Sequence, residues 1–232
     1  MKKIAIICAM EDEAASLVEK LNLERKNDIC GNIPLYEGIY NKKKVIVTVC
    51  GAGKVYAAMT CQCLIMLYKP DLMLNLGISG GIIPGIKRGD ICISSNFVQY
   101  DYDISAIGYK KGQIDGINQI NFPADKETSD LLYKIAKTVQ NKENVHIGTI
   151  GTGDRFVSSA ALASEISETF GAISCEMEGG AIAQVCFINN IKFCAVRSIS
   201  DNANEDAPYD FNEFRKVAVA NSTAIMIEFL NS

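Results

Sequence analysis

The sequence predicts an α/β fold with a mixed, mostly parallel sheet and helices on both sides. Three observations lead there. The continuous apolar run 4–8 and the largely apolar run 72–76 read as strands buried on both faces. Segments with apolar residues at helical spacing alternate with these runs. Glycine-rich or acidic turns stand where the runs end, the edge at which open α/β sheets hold ligands. No repeat, linker or low-complexity tract interrupts the pattern, so one domain over 1–232 is expected.

Residues 4–8 open the chain as a buried strand. A helix follows with Ala14, Leu17, Val18 and Leu21 on one face and Glu11, Asp12 and Glu13 in its first turn. First-turn acids suit the helix dipole, which accounts for Glu11 and Asp12. Glu13 stands apart because a strand-to-helix crossover is where ligands sit. Residues 35–40 and 45–49 form a hairpin, with Lys42, Lys43 and Lys44 in its solvated turn. The second of these strands enters Gly51-Ala52-Gly53-Lys54 and a helix reaching Tyr68. That loop lacks the Walker spacing, so it is either a tight turn or a close backbone approach to a ligand.

After Pro70, the strand 72–76 ends in Gly77-Ile78-Ser79-Gly80-Gly81, and 90–94 is the next strand. Residues 96–123 lack periodicity yet carry Phe97, Tyr100, Tyr102, Tyr109 and Phe122. A loop of that length suggests binding or a subunit contact. Residues 125–139 form an amphipathic helix and 145–151 a strand, leading to Thr152-Gly153-Asp154-Arg155-Phe156-Val157 and a helix opened by Ser158 or Ser159. The apolar run 172–175 then meets Glu176-Met177-Glu178-Gly179-Gly180 and a small-residue helix. Alternate residues of an extended chain share a face, which would point Glu176 and Glu178 the same way. Acids so flanked are paired, hydrogen-bonded or catalytic, or one of them caps the helix. Residues 192–199 are the last strand, delivering Ser200 and Asp201, and Phe211, Phe214, Ala218, Ile225 and Phe229 mark one face of a closing helix.

Composition narrows the chemistry. A net charge of −4 without a basic stripe argues against nucleic acid. No apolar run approaches the roughly 20 residues of a membrane span, and the chain enters its first strand without a leader, so a soluble, cytoplasmic protein is expected. The nine cysteines lie mostly inside apolar runs with no CxxC pair, and they read as reduced thiols acting as small hydrophobes. The one histidine, His146, sits in an alternating strand and reads as structural, which disfavours Ser–His–Asp and Cys–His catalysis. Carboxylates, hydroxyls and backbone remain. Glu13, the GISGG turn, Phe156, Met177 with Glu178, and Asp201 all fall at strand ends and can converge there. Paired acids without metal-ligand spacing suggest hydrolysis through a cationic transition state, with neither metal nor cofactor.

The motifs AMEDE (9–13), NLGISGG (75–81), TGDRF (152–156), EMEGGAIAQVC (176–186) and RSISD (197–201) carry a collinear likeness along essentially the whole chain. It resembles the bacterial 5′-methylthioadenosine/S-adenosylhomocysteine nucleosidases of the nucleoside phosphorylase superfamily. The resemblance implies an α/β/α sandwich, a homodimer and hydrolysis of the N-ribosidic bond of those two nucleosides. It implies Glu13 as the base that activates water, Asp201 as the acid that protonates adenine, and Glu178 on the ribose hydroxyls. Phe156 would stack on the base, with Val157 and Cys175 around it. Met10 and Met177 would flank the ribose, and Phe211 would close the side of the sugar substituent. Ala9, Gly80 and Ser200 complete the implied substrate contacts, while Ile107 and Tyr109 match residues that enter a neighbouring subunit's pocket.

Two residues depart from the family pattern. Ile78 stands where members carry Ser, and Ser79 beside it is expected to face elsewhere. Arg155 stands where small residues are common. Competing readings are a nucleoside phosphorylase, a hydrolase of another adenine nucleoside such as aminodeoxyfutalosine, and a non-catalytic binding or storage protein. A phosphorylase needs a cationic cradle, for which the two glycine loops offer only Lys54. A storage protein has no use for three retained acids.

Overall fold

The computed structural model describes residues 1–232. Its strands are β1 (Lys3–Cys8), β2 (Glu24–Ile29), β3 (Ile33–Tyr40), β4 (Lys43–Val49), β5 (Leu72–Gly81), β6 (Ile91–Gln99), β7 (Phe122–Pro123), β8 (Val145–Thr152), β9 (Ala172–Glu176) and β10 (Lys192–Asp201). The helices are α1 (Glu11–Lys20), α2 (Lys54–Tyr68), α3 (Lys126–Val139), α4 (Ala160–Phe170), α5 (Gly179–Ile188) and α6 (Ala207–Asn231).

All ten strands join one sheet. β5, buried along its whole length, pairs in parallel with β1 and β10 and antiparallel with β9. β10 pairs in turn with β6, β6 with β8, and β8 with β9. Strands β5, β10, β6, β8 and β9 therefore close a ring, from which β1, β4, β3 and β2 extend as a wing. Helix α6 packs on β10 and β5 and meets α1 and α3, while α2 packs on α5. The mixed sheet flanked by helices is as expected; its closure is an addition, because an apolar run does not disclose that β5 has three partners.

Three local readings are corrected. β2 carries no strand signature in the sequence, because its pattern is polar and largely exposed. β6 runs on to Gln99, and the β7 strand pairs with it, so part of the aromatic stretch is sheet; a register shift at Ser94/Asn96 breaks the alternation that would reveal it. The cysteines are not all free thiols: Cys30 and Cys63 form a disulfide, and the other seven are buried and free. The β2–β3 turn lies against α2, where Cys30 Sγ also approaches the Met59 carbonyl. A separation of 33 residues gives no spacing signal for such a pair. No helix is long and apolar enough to cross a membrane.

Candidate active site

The C-terminal ends of β1, β5, β9 and β10 and the start of α6 surround a cavity of about 240 Å³. Ala9, Met10, Glu13, Ile78, Gly80, Phe156, Val157, Cys175, Met177, Glu178, Ser200, Asp201 and Phe211 all line it. Ile107 and Tyr109 do not; they lie on the loop after β6, where Ile107 is exposed and the Tyr109 hydroxyl donates to Asp115. His146 is also apart from the cavity, its Nε2 lying 2.8 Å from Asp90 Oδ2.

Glu13 is 1% exposed. Its Oε2 accepts from the backbone N–H of Ala9 (2.8 Å) and Met10 (3.0 Å), and its Oε1 from that of Ile78 (3.2 Å). The side chain thus caps its own helix and anchors β1 to β5 while facing the cavity. Burial pushes its pKa up, against the pull of Arg197 and the three amides.

Gly77 makes this approach possible. A Cβ there would lie 2.6 Å from Glu13 Oε1 and would collide with the Arg197 guanidinium. Gly80 does the same for Asp201, whose Oδ1 would be 2.9 Å from an added Cβ.

The two acids around Met177 have separate tasks. Glu176 accepts from the N–H groups of Glu178 (3.0 Å) and Gly179 (2.7 Å), which cap α5, and from the Thr152 hydroxyl. Glu178 accepts from Gly53 N–H at 3.0 Å, so the GAGK loop is a close backbone approach to this acid. Burial, with Glu176 beside it, pushes the Glu178 pKa up to about 7.

Arg197 ties the acids together, a role that its place in the sequence does not announce. Buried to 1% exposure, its guanidinium donates to Glu176, Asn75 and the Ile78 carbonyl and lies 3.5 Å from Glu178. Burial works against its charge, yet the flanking carboxylates outweigh that and raise its pKa. An arginine in an otherwise apolar strand was the available signal, since such a cation requires buried acids.

Asp201 follows a bulge in β10 between Ile199 and Asp201. It accepts from the Ser200 hydroxyl (2.7 Å) and Ala203 N–H (2.9 Å), and burial raises its pKa despite both. Phe156 and Phe211 meet edge to face at the mouth, 5.7 Å between centroids. Ile78 joins Met10 and Phe211 in an apolar wall over Ala218 and Val219. Ser79 reaches the cavity as a residue, but its hydroxyl is inaccessible and unpartnered, so it does not replace a hydroxyl at 78. Lys54 is held by Asp101 at 2.6 Å and carries no free charge.

Residues 3–231 match the Phosphorylase superfamily. A 5′-methylthioadenosine/S-adenosylhomocysteine nucleosidase of Haemophilus influenzae (strain PittEE) is 37% identical over 230 residues, covering 99% of both chains. The chain belongs to this nucleosidase family. The structure of the Neisseria meningitidis nucleosidase in complex with methylthio-immucillin-A superposes with a TM-score of 0.93 at 34% identity, over 99% of each chain. Futalosine hydrolase of Helicobacter pylori superposes at 0.90 with 28% identity, over 99% of this chain and 97% of that one. The nucleosidase family's α/β architecture, with its central sheet flanked by helices, is the one described above.

Proposed function

We propose that the protein hydrolyses the N-ribosidic bond of 5′-methylthioadenosine and S-adenosylhomocysteine, releasing adenine and the thioribose product. The observation that carries the reading is the meeting of Glu13, Glu178 and Asp201 in one cavity whose mouth is aromatic. Breaking the bond leaves positive charge on the sugar and negative charge on the base. Asp201, whose pKa burial raises, gives its proton to the departing adenine. Glu178 holds the ribose hydroxyls and, when ionised, stabilises the cationic sugar. Glu13, fixed by three N–H groups and facing Arg197, takes the proton of the attacking water.

Acid and base groups supply about 10²–10⁴-fold each, and a preorganised electrostatic contact about 3–4 kcal/mol. Substrate positioning by Phe156, Met10 and Met177 provides the remainder.

A phosphorylase reading is poorly supported, because the only buried cation is already engaged by carboxylates. The likeness to futalosine hydrolase keeps another adenine nucleoside, such as aminodeoxyfutalosine, as the second reading. The experiment is release of the free base, adenine from methylthioadenosine, adenosylhomocysteine and aminodeoxyfutalosine and hypoxanthine from inosine, with and without phosphate. Release from the two thio-nucleosides that is independent of phosphate is expected. A sugar 1-phosphate formed only in phosphate overturns the hydrolytic reading, and no release at all restores the binding-protein reading.

The chain acts as one domain over 1–232 and as a homodimer in the cytoplasm. Val55, Tyr56, Met59 and Met66 follow helical spacing on the outer face of α2 and are exposed, an apolar stripe of the kind that marks an interface. In such a dimer, Ile107 and Tyr109 would approach the neighbouring subunit's cavity.

A further inference from the structure

Charge is unevenly distributed along the cavity. The interior presents Glu13, Glu176, Glu178 and Asp201, and its one buried cation, Arg197, is taken up by Glu176 and Glu178. Arg155 also lines the cavity, but it is exposed, and its guanidinium makes no hydrogen bond or ion pair within the protein. It directly precedes Phe156, whose ring meets Phe211 at the mouth. The other cation at this rim, Arg215, lies over Phe211 with its Nε 2.5 Å from Asp12 Oδ2, so its charge is compensated. Arg155 is therefore the free cation of a cavity whose interior repels anions.

We propose that Arg155 is a specificity-determining residue, favouring adenine nucleosides whose 5′-thioether tail ends in a carboxylate over those with a short neutral tail. This rests on the reading above, in which the cavity holds an adenine nucleoside with its 5′ side toward Phe211. The neutral nucleoside fits among the acids. An anion attached directly to the sugar meets Glu13 and Glu178, whereas one carried several bonds out on a flexible chain reaches the rim. There a guanidinium offers a planar fork matched to a carboxylate. The arginine thereby sorts substrates by tail and leaves the bond cleavage to the interior.

The test uses one pair of probes, 5′-(3-carboxypropylthio)adenosine and its methyl ester, with methylthioadenosine assayed alongside. The readout is the ratio of kcat/KM for acid over ester in the wild type, Arg155→Gln and Arg155→Lys, at low and high salt. The wild type is expected to favour the acid by about fivefold, the size of an exposed ionic contact of about 1 kcal/mol. The preference should reside in KM, shrink with added salt, vanish in Arg155→Gln and be reduced but retained in Arg155→Lys, which keeps the charge and loses the fork. A wild-type ratio near one, or an equal ratio in wild type and Arg155→Gln, overturns the proposal while leaving the nucleosidase reading intact. Absence of turnover with both methylthioadenosine and the ester overturns that reading, and this proposal with it.

Discussion

In the proposed reaction, leaving-group departure turns on Asp201. Asp201→Asn retains the acceptor for Ala203 N–H but has no acidic proton to deliver. Adenine release should fall by about 10²-fold or more, with circular dichroism and melting temperature close to wild type; near-normal turnover would remove this residue as the acid. Glu178 has a signature of its own. Its pKa in the fold is about 7 against an ordinary 4.5. The folded state therefore binds the extra proton, and the associated stability is complete below about 4.5 and lost as pH rises through about 7. Melting curves of the ligand-free protein across that window should show the loss, at most about 3 kcal/mol. Glu178→Gln should flatten it, and parallel curves for the two proteins would exclude the assignment. Arg197 completes this scale. Arg197→Gln leaves Glu176 and Glu178 buried without their cation, and urea unfolding should report a loss of about 3–5 kcal/mol. A change below about 1 kcal/mol would mean that the cluster is not held by this charge.

At the scale of elements, β5 is held to its form by what its neighbours bring against it. Gly77→Ala places a methyl group where the Glu13 and Arg197 side chains now lie. Both must shift, and kcat should fall by about 10²-fold, as for loss of a positioned base; a kcat within a factor of two of wild type would show that the strand yields cheaply. Much of this arrangement was legible in the chain. Buried runs followed by glycine or acid marked β1, β5, β9 and β10, because a strand covered on both faces leaves a continuous apolar signature. Glu13, Glu178 and Asp201 stood out as carboxylates at the ends of such runs. What stayed hidden depends on partners remote in sequence. The role of Arg197 follows from residues on β5, β9 and the β9–α5 junction, β2 is polar because its surface is exposed, and nothing near Cys30 announces Cys63.

At the scale of the molecule, the exposed stripe on α2 is the surface proposed for the dimer. Replacing its centre with charge, Tyr56→Glu together with Met59→Lys, should convert the proposed dimer to a monomer in sedimentation velocity. Adenine release should fall with it, because the loop bearing Ile107 and Tyr109 would no longer reach a neighbouring cavity. A wild-type protein that sediments as a monomer would refute the assembly outright.

The ring of strands has a consequence for how such a protein can diversify. Arg197 and Asp201 sit on one strand paired on both sides, and Glu13 is pinned to the next strand by backbone amides. Arg155 and Phe156 occupy a loop, and Phe211 lies near the start of α6. Mutational drift at the doorway can thus retune what is admitted while Glu13, Arg197 and Asp201 keep their alignment. Libraries aimed at new 5′ substituents should vary those doorway positions first.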